Sequence, residues 1–472
     1  MPRIPASFCV FLALAAACAS PPAEDDTSSE AEVTAASLRP LRAAGEHFVD
    51  RGGRVVLLRG VNVSGASKVP PFVPYDDAAA LDRLRDLGMN VIRMPFLWEA
   101  YEPEAGRYDE RYLDAMKGVA RDAWSRGLHV IVDFHQDGFS RFSIDGCGSG
   151  FPSWVVPPGV GADRPDNSEA RCASWGLKMM LDVGMHRSWS AFYRNERGVR
   201  DAFLRMTGRV GRAFSSVAGV IGYDLLNEPW GWDGELEALY RDEAAAIREG
   251  DPEAILFVEA HATTNSGLGT TMKRPAFGNI AYAPHYYDSL TMTRKAYDGN
   301  PGGIDGAFDR MRRQASDWGA PLLLGEFGMF AEATNVHAYV VREYENLDRH
   351  LASGTQWNYT PSWSAAAKDG WNGEDLMIVD PSGRPRANFR PQPNLRATAG
   401  KPRSIRYTPG GGLDVAWESD RAGGVTEISV PREAFGARPR ARPAGATCTT
   451  SDGLLRCRAD GTGPVTVHVD AE

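Results

Sequence analysis

Strand-like and helix-like patterns alternate eight times between about residues 55 and 359, and no other feature restricts the fold as strongly. Short apolar runs such as residues 91–95 predict buried strands, and amphipathic segments such as residues 109–126, which end at Gly127, predict the helices between them. Parallel strands joined by right-handed crossovers close most naturally into a barrel when eight units follow one another. The sequence therefore predicts an α/β fold, an eight-stranded (β/α) TIM barrel.

The composition changes after residue 383, where prolines at 385, 391, 393 and 402 mark a linker. Beyond it, short runs such as residues 413–417 and 465–469 alternate apolar and polar side chains, the pattern of strands with one buried face. We therefore expect a barrel domain over residues 45–390 and a small accessory β-sandwich over residues 391–472. A structural role is favoured for the sandwich, because no catalytic pattern occurs in it.

The N-terminal residues combine a charged start, an apolar core and an exit of small side chains, which is typical of a secretory signal peptide. Residues 1–19 are predicted as this signal, with cleavage after Ala19. A competing cleavage site before Cys18 resembles the lipid-anchoring site of bacterial lipoproteins, although Ala15 occupies a position where leucine is usual. Residues 20–44 are predicted to form a flexible tether. The expected location is outside the cell or, through a lipid anchor, on the bacterial cell envelope.

The charge of the chain argues against one class of partner. Its 472 residues contain 52 Lys and Arg against 61 Asp and Glu, a net charge of −9, whereas nucleic-acid binding needs a basic face. A neutral sugar or a zwitterionic surface is compatible with this charge. We expect a monomer that binds no nucleic acid.

Two predicted barrel strands end in a glutamate. Residues 220–226 and 321–325 are mostly apolar, and Glu228 and Glu326 follow them. Both carboxylates should project into the mouth where the carboxyl ends of the strands meet. Glycosidic cleavage needs one carboxylic acid and one carboxylate on opposite faces of the sugar, and a separation of roughly 5 to 5.5 Å gives retention of configuration. The pair predicts a retaining glycosidase that requires no cofactor and no metal.

Four cysteines remain once the predicted signal is removed: Cys147, Cys172, Cys448 and Cys457. An even count in an oxidising compartment favours disulfides. Of the three possible pairings we expect the two local ones, 147 with 172 and 448 with 457. A metal site is the competing interpretation, but no CxxC or histidine spacing supports it.

Several motifs resemble those of a known family. Asn227-Glu228-Pro229 after a buried strand, together with Glu326 after an apolar run, resembles the retaining β-glycosidases of glycoside hydrolase family 5. The stretches DFHQD (133–137), GYDLLNEP (222–229), PHYYD (284–288) and DGWNGE (369–374) are similar to the endoglycoceramidase branch, whose enzymes split the bond between an oligosaccharide and ceramide. The resemblance covers about residues 55–388.

The resemblance implies a role for each residue that matches it. Glu228 would be the acid/base and Glu326 the nucleophile. His285 and Tyr287 would orient Glu326 and bond to it, and Arg93 would keep it ionised.

The resemblance also implies the groups that hold the sugar. Asn227 would bond the 2-hydroxyl of the sugar in the minus-one position. His135 and Asp137 would bond the outer hydroxyls of a glucose, Lys68 would reach in from the first loop, and Trp357 would be the stacking floor.

These roles predict hydrolysis of glycosphingolipids between glycan and ceramide, on a glycolipid presented in a membrane or micelle. Residues 175–185 form an apolar part of a long insertion, which is either a helix packed on the barrel or a lipid-facing surface. One alternative is a β-glucosidase or endo-β-glucanase with a non-ceramide aglycone. Another is a non-catalytic surface protein that binds carbohydrate. The loops at 139–186 and 262–275 leave the glycan head group open.

Overall fold

The computed structural model describes residues 39–471. The predicted signal peptide, both of its cleavage sites and the first part of the predicted tether lie outside these residues. The strands, in chain order, are β1 (Leu41–Ala44), β2 (His47–Asp50), β3 (Val55–Val56), β4 (Arg59–Asn62), β5 (Val91–Phe96), β6 (His129–Phe134), β7 (Val220–Asp224), β8 (Ile255–Val258), β9 (Ile280–Tyr282), β10 (His285–Tyr286), β11 (Leu323–Leu324), β12 (Glu326–Phe327), β13 (Ser353–Gln356), β14 (Asn394–Thr398), β15 (Lys401–Thr408), β16 (Gly412–Ser419), β17 (Val425–Ser429), β18 (Arg440–Ala444), β19 (Ala446–Ser451), β20 (Leu454–Ala459) and β21 (Gly463–Asp470).

The α-helices, in chain order, are α1 (Asp82–Asp86), α2 (Trp98–Tyr101), α3 (Glu110–Ser125), α4 (Glu169–Cys172), α5 (Trp175–Leu181), α6 (Val183–Tyr193), α7 (Val199–Phe214), α8 (Asp233–Arg248), α9 (Ser289–Arg294), α10 (Gly302–Trp318), α11 (Val336–Arg349) and α12 (Arg432–Phe435).

Eight parallel strands form the barrel, in the order β11-β13-β4-β5-β6-β7-β8-β9. A parallel bridge between Tyr282 at the end of β9 and Leu322 just before β11 joins the two ends of this sheet. The long helices cover the barrel with apolar faces; α7, for example, buries Phe203, Met206 and Val210. The predicted eight-stranded α/β barrel is confirmed.

The local sequence explains two of these elements. Helix α3 begins after Asp109, whose carboxylate accepts hydrogen bonds from the backbone N–H groups of Arg111 and Tyr112. Strand β7 is buried along its whole length and runs so close to β8 that a Cβ on Gly222 would lie 1.8 Å from the carbonyl oxygen of Ile255. Only glycine permits this approach, which brings the residues after β7 to the barrel mouth.

The C-terminal part contains two antiparallel sheets. One has the order β15-β16-β21-β18, and the other the order β1-β2-β3-β14-β17-β20-β19. Their facing sides bury a separate core that includes Leu395, Trp417, Ile428 and Val467. The expected sandwich is therefore present, with sheets of four and seven strands.

The N-terminal hairpin belongs to the larger of these sheets. Val55 and Val56 of β3 pair with Thr398 and Ala397 of β14. The predicted first barrel strand at 55–62 therefore divides, because residues 55–56 join the sandwich and only Arg59–Asn62 joins the barrel. Residues 41–44, part of the predicted tether, form β1 instead. The predicted domain limits at 45, 390 and 391 stay a prediction.

The long insertion after β6 is ordered by a disulfide between Cys147 and Cys172, and a second disulfide joins Cys448 to Cys457 across β19 and β20. Both are the predicted local pairs. The apolar part of the insertion forms α5 and the start of α6. Among residues 39–471, no helix combines the length and the apolar character that crossing a membrane requires.

Candidate active site

The two predicted carboxylates meet at the carboxyl ends of the barrel strands. Glu228 lies just after β7, and Glu326 opens β12. One oxygen of each carboxylate and a ring nitrogen of His285 all lie within 4.8 Å of one another. Glu228 has a φ of 41°, a left-handed conformation that is uncommon outside glycine and that clusters at functional sites. The two carboxyl groups are as close as those of retaining glycosidases.

Both oxygens of Glu326 accept hydrogen bonds. Arg93 Nη1 donates to Oε1 over 2.9 Å, and the hydroxyl of Tyr287 donates to Oε2 over 2.9 Å. Glu326 is buried, so these two donors replace water at its carboxylate. Arg93 and Tyr287 therefore lie where their predicted supporting roles require them.

His285 differs from its predicted position. Its Nδ1 lies 2.9 Å from Oε1 of Glu228 but 3.7 Å from Oε2 of Glu326, and its Nε2 lies 3.1 Å from Glu259. The reason is geometric: β10 pairs with β12 so that His285 is in register with Glu326, and its ring reaches between the two carboxylates. The hydrogen bond expected for Glu326 is thus made to Glu228.

The environment of His285 favours its charged form. Burial alone would lower the pKa of His285, but the negative charges of Glu259 and Glu326 and the hydrogen bond to Glu228 raise that pKa well above its usual value. The imidazolium donates to Glu228 through Nδ1, and its Nε2 faces Glu259. It is a cation beside both reactive carboxyl groups, hydrogen bonded to Glu228.

Burial raises the pKa of Glu228 above its usual value. The hydrogen bond and the charge of His285 lower this pKa, while the charges of Glu326 and Asp137 raise it further. A carboxyl group with a raised pKa keeps its proton at higher pH, which a general acid requires.

Arg93 lies at the centre of a buried network beneath the two glutamates. Its guanidinium contacts Asp224 through Nε at 2.9 Å, Asp133 through Nη1 at 3.0 Å and Glu259 through Nη2 at 3.1 Å. Burial raises the pKa of Asp224 well above its usual value, and the charges of Glu259 and Asp133 add to this effect against that of Arg93. The surroundings of Asp224 therefore favour its neutral form more than those of the other acids in the network.

Sequence reasoning did not assign a role to Asp133, Asp224 or Glu259. The sequence does contain a pattern that distinguishes these residues, because each is a single acid within or directly after an otherwise apolar strand. What the sequence does not reveal is that the three strands bring them to one guanidinium.

Asn227 is fully buried and already has partners. Its Oδ1 accepts a hydrogen bond from Arg93 Nη2 at 2.8 Å, and its Nδ2 donates to the carbonyl oxygen of Gln136 at 2.9 Å. The Gln136 side chain in turn donates to the carbonyl oxygens of Asn227 and Glu228. These bonds fix the backbone that carries Glu228. The predicted bond from Asn227 to a sugar hydroxyl stays a prediction.

His135 links the network to the wall of the mouth where sugar binding is predicted. Its Nδ1 lies 2.7 Å from Asp133 and its Nε2 lies 3.1 Å from Asp137. Burial lowers the pKa of His135, but the charges of both aspartates outweigh burial and raise that pKa to about 9. Its ring lies parallel to that of Trp357, with ring centroids 5.7 Å apart.

Lys68 lies between two tryptophan rings. Its Nζ is 4.1 Å from the ring centroid of Trp357, 3.9 Å from that of Trp371 and 2.8 Å from Asp137. Burial raises the pKa of the neighbouring Glu374 to about 8, with Lys68 opposing the shift. Lys68, Asp137 and Trp357 thus converge as predicted. Trp371 and Glu374 join them from the DGWNGE stretch, in which sequence reasoning assigned no individual role.

Two groups of acids and histidine within residues 39–471 have the spacing of metal ligands. They are Asp224, Glu259 and His285, and Glu228, His285 and Glu326. Both groups contain the raised-pKa His285, whose protonated ring has no lone pair for a metal. In the first group, the Arg93 guanidinium already bonds both acids. The donor sets therefore suit hydrogen bonding within the site.

Comparison with known proteins agrees with the fold and with the family resemblance of the sequence motifs. Residues 49–362 match the family model described as Cellulase (glycosyl hydrolase family 5). The chain is 27% identical over 476 residues to Endoglycoceramidase I of Rhodococcus hoagii (strain 103S), a match that covers 92% of this chain and 89% of the relative.

A solved structure and a shorter match extend this comparison. Endo-glycoceramidase II from Rhodococcus sp., solved as a lactosyl-enzyme intermediate, is 26% identical with a TM-score of 0.74, covering 90% of this chain and 100% of that one. A Glucosylceramidase of Aspergillus fumigatus is 37% identical over 141 residues, which is 25% of this chain and 18% of the relative. The chain belongs to glycoside hydrolase family 5 and is a glycoside hydrolase.

Proposed function

We propose that this enzyme is a retaining endo-β-glycosidase that hydrolyses the bond between the glycan and the ceramide of glycosphingolipids by double displacement. The observation that carries the mechanism is the approach of Glu228 and Glu326, whose carboxylate oxygens lie within 4.8 Å. Such a separation suits direct attack by one carboxylate, since an inverting enzyme needs room for a water between the two groups.

In the first step, Glu326 attacks the anomeric carbon while Glu228 gives its proton to the glycosidic oxygen. The glycan becomes bound to Glu326 as an ester, and the ceramide leaves as an alcohol. Arg93 and Tyr287 hold the attacking carboxylate in place through its two oxygens. The raised pKa of Glu228 supports its role as the proton donor.

In the second step, Glu228 removes a proton from water, which attacks the anomeric carbon and releases Glu326. The charge of Glu326 contributes to the raised pKa of Glu228, and ester formation removes that charge. The pKa of Glu228 therefore falls at the stage where it must act as a base. His285, hydrogen bonded to Glu228, remains a cation that stabilises the resulting carboxylate.

The lipid substrate is supported by the extent of the match to the Rhodococcus hoagii relative. That relative is an endoglycoceramidase, and the match covers 92% of this chain and 89% of the relative. We propose that the glycolipid is presented in a membrane or micelle and that the enzyme acts as a monomer.

We further propose that residues 1–19 direct the chain out of the cytoplasm, either free or anchored at Cys18. The two disulfides support this location, since such bonds persist mainly in oxidising compartments. Mass spectrometry of the mature N-terminus tests it. An acylated Cys18 indicates the anchored form, a free Ser20 indicates secretion, and an intact Met1 contradicts both.

A panel of labelled glycosphingolipids tests the substrate. We expect intact oligosaccharide and free ceramide as the products, separated by chromatography and identified by mass spectrometry. Release of monosaccharide alone, or activity restricted to cellulose-like polymers or simple β-glucosides, contradicts the proposal and indicates the β-glucosidase or endo-β-glucanase alternative. No turnover of any glycoside indicates a carbohydrate-binding protein.

A further inference from the structure

Large apolar side chains that face solvent are concentrated at one end of the barrel. Residues 39–471 contain eight of them, and seven lie in loops that follow the carboxyl ends of β6, β7, β8 and β10. Their exposed fractions reach 73% at Leu181, 80% at Val183 and 82% at Trp232. Six of the seven, named here the apolar rim, are Leu177, Leu181, Val183, Trp232, Leu268 and Leu290.

The four loops of the apolar rim contact one another in sequence. Trp230, after β7, lies 4.9 Å from the ring of His186 in α6 and 5.0 Å from that of His261, after β8. The loop after β8 is tied to the start of the next loop by a hydrogen bond from the Tyr287 N–H to the carbonyl oxygen of Asn265, 2.8 Å long. The loops that carry the rim are therefore neighbours at the catalytic mouth.

Helix α5 is unusually exposed for a helix of this fold. Helix α5 contains five large apolar side chains in seven residues, yet none of its residues is buried. The insertion that carries it is held to the protein elsewhere, by the Cys147–Cys172 disulfide and the packing of Trp175 on Trp371. An apolar surface of this kind on a rigid support marks a site of contact with a partner.

The rim loops carry charges of both signs. The exposed cations Arg187, Lys273 and Arg294 lie in these loops, and so do the partly exposed acids Asp182 and Asp233, a mixture that is compatible with the zwitterionic surface of a phospholipid bilayer. Leucine and tryptophan side chains mixed with cations are typical of surfaces that enter the interface of a bilayer, where apolar groups reach the acyl boundary and cations meet phosphates.

We propose that the apolar rim docks on the surface of a phospholipid bilayer and holds the catalytic mouth against the membrane that contains the substrate. This inference rests on the proposed function, because a ceramide-linked substrate remains embedded in that bilayer. The rim then supplies the affinity for the surface, and the carboxylates act on the glycan that projects from it.

The experiment compares the wild type with the triple variant Leu177→Gln, Leu181→Gln, Val183→Thr, which keeps side-chain size while removing apolar surface. Each protein is sedimented with phosphatidylcholine vesicles that contain some phosphatidylglycerol and a glycosphingolipid. Release of intact glycan is measured in the same vesicles, and turnover of a soluble nitrophenyl β-lactoside is measured separately. Trp124→Ser is the control, since Trp124 is exposed on α3, away from the rim loops.

We expect the triple variant to lose roughly tenfold or more in vesicle binding and in glycan release from vesicles, with the soluble substrate turned over at the wild-type rate. The control should match the wild type in all three measurements. Equal vesicle binding by the triple variant and the wild type overturns the docking proposal. An equal loss of glycan release from dispersed glycolipid monomers also overturns it, because that result indicates a site for a single lipid tail. A dimer that the wild type forms and the triple variant does not form overturns it as well.

Failure of the docking proposal and failure of the proposed function give different results. If the wild type binds vesicles through the rim but releases no intact glycan from any glycolipid, the proposed substrate is wrong and the docking surface is supported. If the wild type and the triple variant release glycan from vesicles equally well, the proposed substrate is supported and the docking surface is wrong.

Discussion

Two sets of buried acids in this enzyme have similar burial and opposite surroundings. Asp133, Glu259 and Glu326 lie around Arg93 at the barrel mouth and contact its guanidinium. Glu243 on α8 and Glu343 on α11 are fully buried, and neither carboxyl oxygen of Glu243 has a hydrogen-bond partner among residues 39–471. The difference teaches that burial alone does not make a reactive carboxylate, and Asp224, which has a raised pKa although it contacts Arg93, shows that a neighbouring cation is not sufficient either.

The consequence is a difference in protonation. Burial raises the pKa of Glu243 and that of Glu343 well above the usual value, because burial disfavours the charged form of each carboxyl group. At the mouth, burial alone would raise the pKa of Asp133, but the charges of Arg93 and His135 lower that pKa below its usual value. Substitution at the mouth should therefore change turnover, whereas substitution on the helices should change stability.

The largest expected effect is at Glu326. Glu326→Gln removes the nucleophile and should lower kcat by roughly ten-thousandfold or more, since no other group can form the ester. Glu343→Gln is the matched control and should keep kcat within about twofold. Initial rates on a soluble aryl β-glycoside measure both. A Glu326→Gln variant with near wild-type kcat would show that the nucleophile is assigned wrongly.

An intermediate effect is expected at His285. His285→Gln removes an imidazolium that lowers the pKa of Glu228, so that pKa should rise. The alkaline limb of kcat/KM, which follows loss of the proton from Glu228, should then move to higher pH, and kcat should fall by roughly 10- to 100-fold. The pH profile on the soluble substrate is the measurement. A limb that is unmoved or moves to lower pH contradicts the assignment of Glu228 as the acid.

The smallest effect is expected at Glu243. The pKa of Glu243 is raised in the folded state. Its contribution to the stability of the wild type is therefore fully present below the unfolded pKa of about 4.3 and is lost as the pH rises through the folded pKa. Glu243→Gln lacks this titration and should raise the free energy of unfolding by about 1–3 kcal/mol near pH 8 and give no gain near pH 4, where the amide has no more hydrogen-bond partners than the acid it replaces. Chemical denaturation at both pH values measures it, with kcat unchanged. A gain that is larger near pH 4 would show that Glu243 is charged in the fold.

These residues also show how much of the fold and of the site could be predicted from the sequence. The barrel and the pair Glu228 and Glu326 could be predicted, because an apolar strand that ends in an acid places that acid at the mouth. Arg93 and Tyr287 followed from motif resemblance, and both contact Glu326. The partner of His285 could not be predicted, since it depends on where its ring lies between two carboxylates that are close in space.

The three acids beneath the site were not predicted for a related reason. Asp133, Asp224 and Glu259 each look like a single charge at a strand end, which is common on surfaces. Their meaning arises only from convergence on Arg93, and a sequence read one strand at a time does not contain that convergence. The exposed apolar loops raise the same difficulty, because a helix pattern such as α5 does not reveal whether its apolar face is covered.

The pairing of the N-terminal hairpin with β14 has a consequence for the way the chain folds. Strands β1, β2 and β3 are synthesised first, but the strand that completes their sheet follows the whole barrel. Until then β3 presents an open edge, which is a template for wrong pairing. The N-terminal hairpin is therefore synthesised long before β14, the strand that covers the edge of β3, and the edge is protected only when β14 pairs with it.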